Sequence, residues 1–453
     1  MGIGRQLAHC LLTHCVAIAI KDWIYIDGGE LSSTKGVVEP CKYRDLLANY
    51  GKCLMNRGPA NTTIAIDLSN DWTNSSLTFV TTTRPAASLA ENYQTLWWSK
   101  RDNSIYCFGG ERSFAADVVG RVTPQNSVWK FVPNDQGGGE WQAALGPTSD
   151  LPFPSNMTRP ASGASAASPQ NGYYLGGFAS FGTDPKVNLP LNVNQPLPGL
   201  LSFDFETLTW SNTSDGGFVA SSALIDARVP SGAMQFVPAF GVDGVLLVMG
   251  GASGQGVNAF NNITIYDIHG QAWHSQLAIG DIPEPRDYFC AVGVQSSDNS
   301  TYEMYVESSS YYTIDYAHQR SFIHGGMIEA QPGSGNTGSD QVYILSLPAF
   351  RWFRAIYSSA YPRAYHTCHA ARDSQMIIIG GLNPTQYQNK IQDLWNGNTA
   401  TADPWTLGIG VFDMKTLEWK DSYDARAVAY EPPDKVKQYY LKYTIAVLTY
   451  CYT

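Results

Sequence analysis

Six times along this chain a short apolar, β-prone run ends in two consecutive glycines. The pairs are Gly28-Gly29 (after WIYID), Gly109-Gly110 (after SIYCF), Gly176-Gly177 (after GYYL), Gly250-Gly251 (after VLLVM), Gly325-Gly326 (after SFIH) and Gly380-Gly381 (after QMIII). Their first glycines lie 81, 67, 74, 75 and 55 residues apart. Runs of Ile, Val, Leu and Tyr this short read as strands buried on both faces. The glycines let such a strand stop or bend at positive φ while another backbone comes close. One pair says little. Six at a recurring interval mean a repeated supersecondary unit that buries its faces against its neighbours.

A second signature follows each pair. FDFETLTW, ending at Trp210, aligns without gaps on FDMKTLEW, ending at Trp419. YDIHGQAW (to Trp273) and LSLPAFRW (to Trp352) fit the same frame, Asp67 to Trp72 is one residue shorter, and the unit of Trp141 is loosest, with Gly137, Gly138 and Gly139 inserted. An aromatic, an Asp that fixes a turn through its side chain, and a returning Trp describe a hairpin whose Trp fills the gap between sheets. Arginines at 84, 159, 228, 286 and 363 precede the later pairs by 25, 17, 22, 39 and 17 residues. The unit is a four-stranded antiparallel sheet, and six of them predict an all-β, six-bladed propeller, with seven blades as the alternative if the tail adds a sheet.

These motifs resemble Kelch repeats from about residue 5 to about residue 425. YIDGGE and the long blades are similar to fungal Kelch-propeller proteins, in a superfamily that includes galactose oxidase. The units average about 70 residues against the nominal ~50, so the excess is expected in loops, where insertion is cheap and binding surfaces form. For the oxidase the resemblance implies copper held by two His and two Tyr. No residue-by-residue match to those ligands is found among the eight histidines, so no catalytic, cofactor or metal residue is assigned.

Two stretches depart from the repeat. TYEMYV (301–306) already has the look of the strand that should end in glycines, which makes 307–324 an inserted segment or a long loop. The tail, 426–453, ends abruptly and is expected to be truncated or aberrant, with residues 442–453 suited to a strand by their β-branched and aromatic content. Residues 1–20 read either as a signal-like segment or, through CVAIAI, as the first strand of blade 1.

Other chemistry is thin. The eight cysteines contain no CxxC, which removes a thiolate-knuckle zinc site; Cys41 and Cys53 are spaced to bridge one loop. In YHTCH (365–369), strand alternation puts His366 and Cys368 on one face and His369 on the other, and a structural role is expected. Asp281, Glu284 and Asp287 flank prolines and are expected in a solvated loop. A formal charge of -10 argues against a nucleic-acid partner, and no apolar run reaches membrane-spanning length. Sequons at Asn61, Asn74, Asn156, Asn212, Asn262 and Asn299 favour a secreted or cell-surface protein over a cytoplasmic one. The function expected is a non-enzymatic scaffold that binds a protein or a glycan through long loops. The alternatives are a metal-dependent, oxidase-like enzyme and a surface or wall protein that has lost its anchor.

Overall fold

The computed structural model describes residues 10–33, 57–85, 88, 91–113, 128–143, 154, 156–184, 186–189, 193–213, 231–253, 256–307, 341–357, 363–372, 374–382 and 405–451. Six sheets stand side by side among them, each from one contiguous stretch of chain and each ordered from the axis outward; all are antiparallel except that the fifth carries a parallel edge strand, Ile279–Gly280 beside Arg351–Trp352. Blade 1 contains Val16–Ile20, Trp23–Asp27, Thr62–Asp67 and Phe79–Thr83; blade 2 contains Glu91–Ser99, Ser104–Arg112, Trp129–Pro133 and Gly139–Ala143. Blade 3 is Ala164–Ala167, Asn171–Leu175, Leu200–Asp204 and Trp210–Thr213, and blade 4 is Ala233–Val237, Val245–Met249, Asn262–Asp267 and Ala272–Leu277. Blade 5 follows with Cys290–Gln295, Tyr302–Glu307, Val342–Leu347 and Arg351–Arg354, then blade 6 with Ala364–Ala371, Gln375–Leu382, Ile409–Asp413 and Glu418–Lys420. The innermost strand of each blade packs against that of the next, and blade 6 packs against blade 1, so the ring is closed.

The hairpins follow from local chemistry. Asp204 Oδ1 accepts the backbone N–H groups of Glu206 and Thr207, both at 2.8 Å, and Asp413 Oδ1 accepts those of Lys415 and Thr416, both at 2.9 Å. In the loose blade 2 hairpin, Asn134 Oδ1 takes that role toward Gln136 and Gly138. The returning tryptophans lean into the seam with the preceding blade. Trp141 Nε1 donates to Thr63 Oγ1 of blade 1 at 2.9 Å, and Trp352 Nε1 donates to the Phe260 carbonyl of blade 4 at 3.0 Å. Trp210, Trp273 and Trp419 pack into the seams between blades 2 and 3, 3 and 4, and 5 and 6. Trp72 differs. It sits on the short strand Trp72–Thr73, which pairs with Ser422–Tyr423 and stacks on Tyr423 at 5.1 Å, joining blade 1 to the segment after blade 6.

The sequence expectation of a strand at 442–453 is corrected: Asp434–Cys451 is a helix, α1. Residue-level β propensity loses to context here. Pro433 supplies the carbonyl that accepts the first helical N–H groups, from Val436 at 2.9 Å and Lys437 at 3.1 Å, with Asp434 in the first turn. At helical spacing, Val436, Tyr439 and Tyr440 meet the outside of blade 5; the Tyr440 hydroxyl lies 3.1 Å from Ser346 Oγ. Among the described residues no helix is long and apolar enough to cross a membrane.

The five described glycine pairs end or interrupt the second strands, and both members of each have positive φ. Gly325 and Gly326 lie outside the described residues, and the second strand of blade 5 is Tyr302–Glu307. At Gly177 (φ +83°) a Cβ would stand 2.4 Å from the Ala161 carbonyl, whereas at Gly182 its nearest neighbour would be 3.6 Å away. Gly177→Ala is therefore expected to destabilise the fold by about 2 kcal/mol, and Gly182→Ala by less than about 0.5 kcal/mol. Urea unfolding midpoints of the two variants test this; equal midpoints would remove the close-approach argument.

Candidate functional site

Every blade begins at the axis with one residue in the left-handed region: His14, Tyr93, Ser162, Ser231, Tyr288 and Tyr365, with φ between 52° and 61°. Their backbones form a closed circuit. Each N–H donates to the carbonyl of the corresponding residue one blade earlier, His14 to Tyr365, Tyr93 to His14 and so on round to Tyr365 to Tyr288, over 2.5–3.3 Å. The side chains gather on the axis. His14 meets Tyr93 at 4.7 Å and Tyr365 at 5.1 Å between ring centroids, Tyr288 meets Tyr365 at 4.5 Å, and the Ser162 and Ser231 hydroxyls are 3.0 Å apart. Tyr93 and Tyr288 keep part of their surface open but are surrounded by protein, and desolvation holds both phenols above the ordinary range.

The glycine pairs come to this same end of the disc, where they latch onto the segment entering the next blade. Gly29 N–H donates to the Glu91 carbonyl, Gly110 N–H to that of Pro160 and Gly251 N–H to that of Arg286, at 2.9–3.1 Å. The repeat arginines serve these junctions. Buried Arg159 pairs with Glu91 and donates to the carbonyls of Gly109 and Gly110, the pair before it in sequence. Arg363 donates to the Gly380 carbonyl at 2.7 Å and lies 3.8 Å from the Trp405 ring centre. Arg84 pairs with Asp27 and lies over Trp141, while Arg228 is outside the described residues. Asp27 also accepts from Thr63 at 2.8 Å and from Gln94 at 2.6 Å.

Three acidic groups add to the polar surroundings of the axis. Glu30 accepts from Asn92 and Ser113, and Glu111 accepts from Ser180 at 2.9 Å. Asp287 corrects the expectation of a solvated loop: Asp281 and Glu284 are exposed, but the chain turns inward and buries Asp287 next to Tyr288. Burial pushes the carboxyls of Glu111 and Asp287 up to about 7.

Asn61, Asn156, Asn212 and Asn299 are exposed, and Asn74 and Asn262 are half-buried. Cys41, Cys53 and residues 308–324 lie outside the described residues. His366 and Cys368 do share a face, and it is turned toward Glu307 and Cys290 of blade 5; Cys290 and Cys368 form a disulfide. Four of the axial residues stand two or three positions after the repeat arginine, in RPASG, RVPSG, PRDYF and PRAYH, where spacing from the arginine is the one signal that marks them.

The copper set of the oxidase is not assembled among the described residues. The axis supplies one imidazole, from His14, with three phenols. Of the other imidazoles, His366 faces Glu307, His269 pairs with Asp243 at the surface, His274 is exposed, and His369 turns to the Ala370 carbonyl.

The raised Glu111 carboxyl makes stability pH-dependent. In the fold it keeps its proton up to about pH 7, whereas its ordinary value is 4.5. Between those values the folded state binds more protons than the unfolded one, so stability falls as pH rises through this window and levels off above it. Glu111→Gln removes that contribution. Its stability relative to the unmodified chain is expected to improve by up to about 3 kcal/mol between pH 4 and pH 8. Urea unfolding across that range checks it, and a difference independent of pH would refute it.

No protein-family model matches the chain. It is 24% identical over 347 residues, 71% of its length, to a Kelch repeat-containing protein of Arthroderma benhamiae. The match covers 46% of that relative, so the chain spans about half the length of the curated protein it resembles. A solved structure, YjhT, is similar at 13% identity with a TM-score of 0.49, over 82% of this chain and 91% of its own. Six sheets built outward from a closed axis, glycine pairs at their second strands and aspartate-fixed hairpins with returning tryptophans make the chain a six-bladed β-propeller, similar in sequence to a Kelch repeat-containing protein.

Proposed function

We propose that this propeller is a non-enzymatic scaffold that binds a protein or a glycan at the end of the disc carrying the axial circuit. The supporting observation is where the chain spends its extra length. The connections from second to third strand leave at that end and run to between 12 and 34 residues, whereas the turns from first to second strand, at the opposite end, have two to seven. The axis between the long connections is filled by the protein's own tyrosines, histidine and serines, which form a platform. Exposed sequons and a buried disulfide support an extracellular or cell-surface setting.

Glycan-array screening and pull-down from the native host with the full chain test the reading. Replacing 34–56 by a short Gly-Ser linker is expected to reduce capture at least tenfold at unchanged Tm, and altering the Gly241–Gly244 turn at the opposite end to leave it intact. The reverse pattern overturns the binding face. A second reading, a metal-dependent oxidase-like enzyme, is favoured by the axial imidazole and phenols alone; stoichiometric copper or iron in the purified protein would put it in place of the scaffold.

A further inference from the structure

The seam between blades 5 and 6 contains a polar group unlike the rest of the core. The Cys290–Cys368 disulfide joins the two innermost strands, with Cα atoms 5.7 Å apart. Cys290 is the direct cross-strand partner of Glu307, and His366 stands two residues before Cys368 on the same strand face. Cys290 Sγ, a Glu307 carboxylate oxygen and a His366 ring nitrogen all lie within 4.8 Å of one another. The side chains of Glu307 and His366 are 0% exposed. They touch, yet without hydrogen-bond geometry, and both oxygens of Glu307 and both nitrogens of His366 lack a hydrogen-bond partner among the described residues.

The repeat provides an internal comparison. Glu307 occupies the last position of its second strand, paired as Asp27 is in blade 1. Asp27 there is met by Arg84, Thr63 and Gln94. In blades 3 and 4 the same position is apolar, Leu175 and Met249. Burying an ion pair costs several kcal/mol of desolvation, and hydrogen bonds to its remaining polar atoms are missing here, so Glu307 and His366 are an expensive way to fill a seam that apolar residues fill elsewhere.

We infer that Cys290, Cys368, Glu307 and His366 form a redox-gated zinc site, open when the disulfide between blades 5 and 6 is reduced. An external dithiol delivers two electrons and two protons to the S–S bond and is itself oxidised to a disulfide, leaving two protein thiols. Zn²⁺ then displaces the thiol protons to solvent. Two thiolates, an imidazole and a carboxylate make a four-donor set suited to tetrahedral zinc. The loaded site carries one net negative charge, and the buried Arg286 guanidinium is within electrostatic reach of Glu307 to balance it. Zinc and the disulfide are then alternative clasps on the same two strands.

The test uses the full chain, reduced with a water-soluble phosphine and desalted without oxygen, beside the oxidised form. The reduced chain is expected to take up one Zn²⁺, to show a thiolate-to-metal charge-transfer band with Co²⁺, and to have Cys290 and Cys368 shielded by zinc from alkylation in peptide mass mapping. The oxidised chain is expected to show none of these. Glu307→Gln and His366→Ala should each weaken binding by more than about tenfold, since losing even an outer-shell partner costs that much. The site is overturned if the reduced chain binds no Co²⁺, if zinc shields other cysteines instead, or if Cys290→Ser keeps the same stoichiometry and band. The alkylation map needs no variant, so a misfolded substitution cannot shelter the proposal.

Discussion

The structure depends on one constraint: a sheet that is apolar on both faces must be covered on both. The second strand of blade 4 shows it within five residues. All of VLLVM is buried, and alternation sends Leu246 and Val248 into the seam with blade 3 but Val245, Leu247 and Met249 into the seam with blade 5. Blade 6 divides likewise, with Met376 and Ile378 facing blade 5 while Ile377 and Ile379 face blade 1. A row of such sheets has two uncovered ends, and a ring has none. The core is accordingly a set of seams, and each blade's stability is shared with two neighbours.

That ring brings six strained backbones together at its centre. A non-glycine residue in the left-handed region costs on the order of 1–2 kcal/mol, and a backbone hydrogen bond returns about 1 kcal/mol. The axial circuit therefore does not hold itself. The flanking sheets impose it, and in return each blade is fixed in angle to the next. The glycine pairs and buried arginines lie beside this circuit for the same reason, since there one blade hands the chain to another and backbones run close.

How far this was legible in the amino-acid sequence follows from how local each requirement is. A positive φ beside a neighbouring carbonyl demands glycine, so the strand ends could be found by eye. An aspartate that closes its own turn is equally local, and so is the tryptophan after it. The axial residues share a backbone conformation and no side-chain chemistry, so His14, Ser162 and Tyr288 do not look alike. Cys290 and Cys368 are 78 residues apart, and only the adjacency of blades 5 and 6 pairs them. Asp287 looked solvated because its neighbours are polar, but its burial depends on where the chain is heading. The β-branched residues after 441 suggested a strand, and the Pro433 start and the packing of Val436, Tyr439 and Tyr440 made a helix.

Tyr423 donates to the Leu68 carbonyl across 355 residues of chain, and Arg426 reaches Asp71 over the same separation. Among the described residues the first and last blade sheets exchange no strand, and their ends meet through the two-residue pairing of Trp72–Thr73 with Ser422–Tyr423, so this junction joins finished pieces. Loop-closure entropy grows only with the logarithm of length, and bringing these ends together costs about 1 kcal/mol more than joining adjacent blades. Assembly can thus proceed sheet by sheet from short-range pairings, leaving the meeting of the extremities as a late and thermodynamically minor event. The same junction is where a pulling force or a transient fluctuation would first turn the toroid into an open arc.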